Sequence, residues 1–126
     1  MVVGVGIIDI WIHESNSLKA KRSVLKSIIR RTQNRFNVSI AEIGDNDHWK
    51  KGRIGFSIVG NDRRFVNGKI DNILQFVQNM HLADVIKTKV EITNYSDIVE
   101  DIEADDFEDL LNDFQEGRSG RGSDQG

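Results

Sequence analysis

Residues 36–60, FNVSIAEIGDNDHWKKGRIGFSIVG, restrict this chain to a small set of α+β folds. Ile54, Phe56 and Ile58 alternate with small or polar residues, which predicts a strand, and FNVSIAEIG predicts another strand before it. The residues between the two strands, GDNDHWKK, are rich in turn formers. Two strands joined in this way predict an antiparallel hairpin in the middle of the chain.

A helix is predicted on each side of this hairpin. The first follows a capping serine, Ser15 or Ser17, and runs to about Arg35. Its apolar residues at helical spacing are Leu18, Val24, Leu25, Ile28 and Ile29. The second follows Asn61 or Asp62 as a candidate cap. Its inward residues are Phe65, Val66, Ile70, Ile73, Leu74, Val77 and Met80.

Two further strands are predicted at the ends of this arrangement. Val2–Ile12 places Ile8, Ile10 and Ile12 on one face with Gly4 and Gly6, where another element can approach closely. Its other face carries Val3, Val5, Ile7, Asp9 and Trp11. The last predicted strand is DVIKTKVEIT. One of its faces carries Ile86, Thr88, Val90 and Ile92.

The predicted order of elements is βαββαβ. This order is typical of the ferredoxin-like α+β sandwich, an antiparallel sheet with two helices on one face. The other face of the sheet stays open, either as a dimer interface or as a binding platform. No cysteine is present, so disulfides and cysteine nucleophiles are excluded.

Charge divides the chain into two parts. Residues 1–90 carry 15 Lys and Arg against 8 Asp and Glu, and residues 91–126 carry 2 against 12, for chain totals of 17 and 20. We therefore predict a domain over residues 1–95 and an acidic, largely disordered tail over residues 96–126. The tail has helical apolar spacing that predicts a short amphipathic helix through Phe107, Leu110, Leu111 and Phe114.

The segments SLKAKRSVLKSIIRRTQNRFNVSIAEIGDNDHW and GFSIVGND resemble the YlxP-like family of small bacterial proteins. The shared motifs are a Ser-Leu-Lys-x-Lys-Arg helix start, an Arg-Phe-Asn-Val-Ser strand, a Gly-Asp-x-Asp loop with a following Trp, and a late Asn-Asp. The resemblance covers about residues 2–92. It implies a ferredoxin-like fold, a dimer, and a gene setting among transcription, translation and ribosome-assembly genes. It brings no established enzymatic activity, and the acidic tail departs from the usual compact form.

The first helix is strongly basic. Residues 16–35 contain 7 of the 17 Lys and Arg and no Asp or Glu. Helical geometry predicts one outward stripe of Lys19, Arg22, Lys26 and Arg30, flanked by Arg31 and Arg35. We expect Lys21 to lie along the apolar side with its amine in water. Three interpretations stay open: a solvated face, a phosphate-binding surface, or a partner for the acidic tail.

Four residues on or beside the predicted open face are candidates for a second surface: Asp9, Trp11, Arg53 and Ser57. Base stacking on such a face usually uses two or three aromatic residues, and only Trp11 is evident, so a dimer interface is favoured over RNA stacking.

The sequence does not predict a metal site, a catalytic site or a dinucleotide-binding site. Asp45, Asp47 and His48 are too few for a dedicated metal site, and turn chemistry explains them better. His13 and Glu14 lack a nucleophile. GVG near the start is followed by more strand rather than by a helix, so it is no dinucleotide fingerprint. We expect no enzymatic activity, metal or cofactor.

The sequence thus predicts a cytoplasmic, non-enzymatic protein that binds structured RNA or a ribosomal particle through its basic first helix. The apolar start is too short to span a membrane and contains Asp9. The alternative is a dimeric protein-interaction module that uses the open face and the acidic tail. The tail is also expected to mask the basic helix, because tethered opposite charges meet at high effective concentration.

Overall fold

The computed structural model describes residues 1–44, 47–102 and 108–116. Its elements follow the predicted βαββαβ order, and further helical segments follow in the described part of the C-terminal region. In chain order they are β1 (Val2–Trp11), α1 (Leu18–Arg35), β2 (Ser39–Glu42), β3 (Lys51–Gly60), α2 (Arg63–Asn79), β4 (Asp84–Asn94) and α3 (Ser96–Asp101). The chain separates into two units, residues 1–94 and residues 95–126.

The first unit is a four-stranded antiparallel sheet with strand order β2-β3-β1-β4. β1 pairs with β3 along its whole length, from Val2 opposite Gly60 to Trp11 opposite Lys51. Both helices pack on the face that carries Ile8 and Ile10. This arrangement confirms the predicted ferredoxin-like sandwich.

The core lies between the helices and this face of the sheet. Its buried apolar residues are Val2, Ile8, Ile10, Ile12, Leu25, Ile28, Ile40, Ile54, Phe56, Ile58, Val66, Ile70, Ile73 and Val77. Gly4 allows α2 to approach β1, since a Cβ atom there would lie 2.6 Å from Val66 Cγ1. The expected close approach over the β1 glycines is therefore confirmed at this position.

Side-chain caps begin both long helices. Ser17 accepts a hydrogen bond from the Ala20 N–H at 3.0 Å, and Asp62 accepts one from the Phe65 N–H at 2.7 Å. Each satisfies an N–H group that has no partner inside the helix. Of the two candidate serines, Ser17 is thus the cap of α1.

The prediction for β4 is wrong at one residue. The β1–β4 register shifts between Asp9 and Ile10, so that Val85 instead of Ile86 lies opposite Ile10. Ile86 is 53% exposed. A bulge of this kind adds one residue to a strand and reverses the face of everything beyond it, which strict alternation cannot anticipate.

The second unit contains α3 and a helical stretch at residues 108–116. Of the predicted apolar face, Leu110, Leu111 and Phe114 are exposed, and Phe107 lies outside the described residues. Across the described part of the chain, no helix has both the length and the apolar character needed to span a membrane.

Candidate functional site

The six predicted cations of α1 are exposed: Lys19, Arg22, Lys26, Arg30, Arg31 and Arg35. Within the described ranges, none of them forms an ion pair with an Asp or Glu side chain. The opposite side of the helix is buried through Leu25, Ile28 and Thr32. The packing of that side therefore orients the cations away from the sheet.

Three of the cations lie together in a shallow groove on α1. Lys26, Arg30 and Arg31 line it with three uncharged polar residues, which are Ser23, Ser27 and Asn34. The groove has a volume of about 370 Å³. Hydroxyl and amide groups beside cations are the donors that contact phosphate oxygens. Lys19, Arg22 and Arg35 lie elsewhere on the helix and extend the positive surface along it.

The expectation for Lys21 is wrong. Its side chain is 1% exposed, and its ammonium group donates to the Lys51 carbonyl at 3.2 Å instead of reaching water. The reason is the fold of the preceding loop, where the buried Ser15 hydroxyl lies 2.6 Å from the Trp49 carbonyl. The Ile12 N–H donates to the Lys50 carbonyl at 2.7 Å. Three successive carbonyl groups, at residues 49–51, thus accept hydrogen bonds from the segment that runs from the end of β1 into α1.

All four predicted open-face residues lie on the sheet face opposite the helices. Asp9 and Arg53 are register partners joined by two hydrogen bonds, at 2.6 Å from Nε and 3.0 Å from Nη2. Asp9 is 4% exposed, and the Arg53 hydrogen bond holds the pKa of its carboxyl below the usual range. Ser57 lies opposite Val5, which is exposed. The Asp9–Arg53 ion pair therefore stabilises the sheet, and part of the Arg53 side chain remains exposed on its open face.

Trp11 lies at one end of this open face. Its ring and the His48 ring have centroids 5.3 Å apart and are tilted by 49°. Lys51 is its register partner on β3. No local sequence pattern predicts the contact with His48, because that residue comes from the loop before β3. The open face also carries Val59, which is exposed.

A pocket that the sequence did not reveal joins the end of β1 to the start of β4. His13 Nε2 lies 2.5 Å from Asp84 Oδ2, and both side chains are about two-thirds exposed. Glu14 and His81 also line this pocket of about 440 Å³. His13 and Asp84 are 71 residues apart, so no local motif could have connected them.

The loop before β3 carries Asp45, Asp47 and His48, for which the sequence predicts turn chemistry rather than a metal site. Asp47 and His48 are exposed, whereas Asp45 lies outside the described residues. His48 Nδ1 accepts a hydrogen bond from the Lys50 N–H at 3.1 Å, which is turn chemistry. Among the residues with described positions, no cluster of three or more His, Asp or Glu side chains could hold a metal ion.

The amino-acid sequence of this chain matches a known protein family. The model of a family described as "Protein of unknown function (DUF503)" matches residues 3–90. The chain belongs to the DUF503 family. It is 34% identical over 90 residues to "Uncharacterized protein YlxP" of Bacillus subtilis (strain 168), an alignment that covers 71% of this chain and 98% of that relative. The resemblance to the YlxP-like family is therefore confirmed.

The DUF503 match includes α1, the open face and the Lys21 interactions, whereas residues 96–126 lie outside it. The candidate surfaces thus belong to the part of the chain that is similar to the family. The acidic tail does not, and its expected masking of α1 stays a prediction from charge.

The Asp9–Arg53 pair of this DUF503 protein makes a pH-dependent contribution to stability. Because the pKa of Asp9 is lower in the folded state, the pair stabilises the fold above roughly pH 4 and loses this effect as the pH falls through the lowered value. We expect Asp9→Asn to lower the urea midpoint at pH 7 and to match the wild-type protein more closely in acid. Urea unfolding at several pH values measures this difference. A difference that grows below pH 4 would contradict the assigned direction of the pKa change.

Proposed function

We propose that this protein binds the phosphate backbone of structured RNA, free or in a ribosomal particle, through the outward face of α1, and that it acts by binding rather than by catalysis. The supporting observation is the α1 groove, in which Lys26, Arg30 and Arg31 have no acidic partner among the described residues. A helix face under selection for solubility alone usually mixes charges of both signs. RNA is preferred over other polyanions because of the gene setting that the resemblance implies.

The mechanism follows from simple electrostatics. Cations that bind phosphates release the counterions condensed on the nucleic acid, so the affinity falls as salt rises. Backbone contacts position a protein without reading bases. The protein would therefore recognise the shape and charge of an RNA helix more than its sequence.

Charge reversal in the groove tests the proposal. We expect Lys26→Glu/Arg30→Glu to weaken binding to a mixed-sequence RNA hairpin by about 10- to 100-fold at low salt and to reduce the salt slope by about two. Both side chains are exposed, so the fold should be retained. Fluorescence anisotropy over a salt series measures both quantities.

A matched control has the same change in net charge at other exposed or partly exposed sites. Arg64→Glu/Lys69→Glu alters two cations on α2. If binding depends on the α1 groove, this control should lose much less affinity. Equal losses in the two double variants would show a general charge effect and would reject α1 as the binding surface.

A protein-interaction function is the second candidate, and the open face supports it. Val5 and Val59 are 43% and 64% exposed there, toward the end of β1 and β3 that lies away from Trp11. Exposed apolar residues on a sheet face are common in protein interfaces. This candidate predicts that purified protein carries no salt-sensitive RNA, in contrast to the RNA-binding proposal.

A further inference from the structure

The outer edge of β4 is long and has no strand partner in the described part of the chain. β4 runs over 11 residues, whereas β2, at the other edge of the sheet, has only 4. A long free edge presents backbone groups that can pair with another strand. The edge also exposes Val90, at 40%, and Ile86, at 53%.

The hydrogen-bond pattern shows which backbone groups of β4 face outward. The Ile12 N–H donates to the Lys50 carbonyl, and these two residues continue the β1–β3 register by one pair. Ile12 therefore belongs to the series of β1 residues whose backbone groups point toward β3, and this series has even numbers. In an antiparallel sheet, residues that bond to one neighbouring strand alternate with those that bond to the other. Even-numbered residues of β1 therefore bond to β3, and its odd-numbered residues bond to β4.

The β4 residues that lie opposite the odd-numbered residues of β1 are Lys87, Lys89, Glu91 and Thr93. The N–H and C=O groups of Thr88, Val90 and Ile92 therefore face away from the sheet. A side-chain contact agrees with this assignment, because Arg63 Nη1 donates to the Ile92 carbonyl at 3.2 Å.

We propose that a second copy of this chain pairs along this edge, with β4 antiparallel to β4 and Val90 on the two-fold axis, to form a continuous eight-stranded sheet. In this register Val90 lies opposite Val90 of the second copy, and Thr88 lies opposite Ile92. Each of these residues has outward backbone groups, and the Ile92 carbonyl, which accepts from Arg63, has a second lone pair for the Thr88 N–H of the second copy. The ladder of hydrogen bonds can therefore extend across the axis.

Charge selects this register over its neighbours. With Val90 on the axis, Lys89 lies opposite Glu91 of the second copy, and the symmetry repeats the pair. With residue 89 on the axis, two Lys89 side chains would face each other, and with residue 91 on the axis, two Glu91 side chains would. With residue 88 on the axis, Lys87 would face Lys89. Like charges directly opposite each other destabilise a sheet, and opposite charges stabilise it.

Within the described residues of one chain, the sheet gives these charges no oppositely charged cross-strand partner. Lys89 and Glu91 are both exposed, and their register partners on β1 are Ile7 and Val5. A second copy would give each of them an oppositely charged neighbour. On the helix side of the sheet, pairing would cover Val90 and Ile92, which line a groove beside α2.

The dimer has a consequence for RNA binding that rests on the proposed function of α1. A two-fold axis perpendicular to the sheet places both copies of α1 on the same face. Since α1 packs over β2 and β3, about six strand spacings separate the two helices, or roughly 30 Å. One RNA could then contact two cationic helices at once and gain avidity.

A charge exchange at residues 89 and 91 tests the dimer without RNA. Lys89→Glu and Glu91→Lys each create like-charge pairs across the axis, so each should raise the dimer dissociation constant about tenfold or more. The double variant Lys89→Glu/Glu91→Lys restores opposite charges and should regain the wild-type constant. An equimolar mixture of the two single variants should form heterodimers. Sedimentation equilibrium measures all of these species.

Amide hydrogen exchange gives a second reading of the same interface. The Val90 N–H should be protected in the wild-type dimer and should exchange faster in Lys89→Glu. A wild-type protein that is monomeric from micromolar to millimolar concentration would overturn the proposal. So would single variants that dimerise as tightly as the wild-type protein. Failure of α1 charge reversal to affect RNA binding would leave this dimer intact, so the two proposals can fail separately.

Discussion

Lys21→Ala should be less stable than the wild-type protein by about 2–4 kcal/mol. The Lys21 side chain is 1% exposed, and its ammonium group donates to the Lys51 carbonyl at 3.2 Å. Truncation removes the packed methylene groups, leaves a cavity beneath α1, and deprives a carbonyl at the start of β3 of a donor. Urea unfolding followed by circular dichroism measures the loss.

Two further variants separate the causes of this loss. Lys21→Met retains most of the side-chain volume but not the donor, so it should lose less than Lys21→Ala. Lys19→Ala removes an exposed lysine two residues earlier and should change stability by less than about 0.5 kcal/mol. If Lys21→Ala were as stable as Lys19→Ala, the buried position assigned to Lys21 would be incorrect.

Gly6→Ala should also destabilise the fold, by about 2–3 kcal/mol. A Cβ atom at residue 6 would lie 2.3 Å from Cζ of the Phe56 ring, which covers this glycine from the neighbouring strand. Phe56 is itself buried in the core, so its ring has little room to move. Thermal and urea unfolding both report the change.

The chain contains a matched control for this substitution. Gly68 lies exposed in the interior of α2, and a Cβ atom there would have no neighbour within 4 Å. Gly68→Ala should therefore stabilise the protein by about 0.5–1 kcal/mol, since alanine favours a helix. Adding Phe56→Leu to Gly6→Ala should reduce the clash, so that the double variant loses less than the sum of the two single variants. A strictly additive double variant would contradict the assigned contact.

The predictable parts of the fold were those encoded by local patterns. Alternation in β3 and the helical spacing of Leu25 and Ile28 follow directly from the two periodicities of side-chain direction. The capping residues Ser17 and Asp62 were both among the candidates, because a short polar side chain before an apolar helix has a specific role. The exposed cations of α1 followed from the same helical geometry.

Local patterns were insufficient where two distant segments meet. Lys21 resembles the other lysines of α1, and its burial depends on the carbonyl of Lys51, 30 residues later. The His13–Asp84 pair and the Trp11–His48 contact have the same origin. These positions depend on which loops the packed sheet brings together.

By itself, the amino-acid sequence determined the order of elements, the separation of positive from negative charge and the inward faces of the helices except at Phe65, which was predicted inward and is 53% exposed. Each of these features depends on residues close together in the chain. Only the tertiary structure decided the bulge opposite Asp9 and Ile10, the burial of Lys21 and the outward backbone groups of β4. Which backbone groups of a strand point toward each neighbour depends on how the strands pair. A one-residue shift in pairing also reverses which side chains face the core. That choice is made when the sheet assembles, by the packing of β1 against β3 and β4.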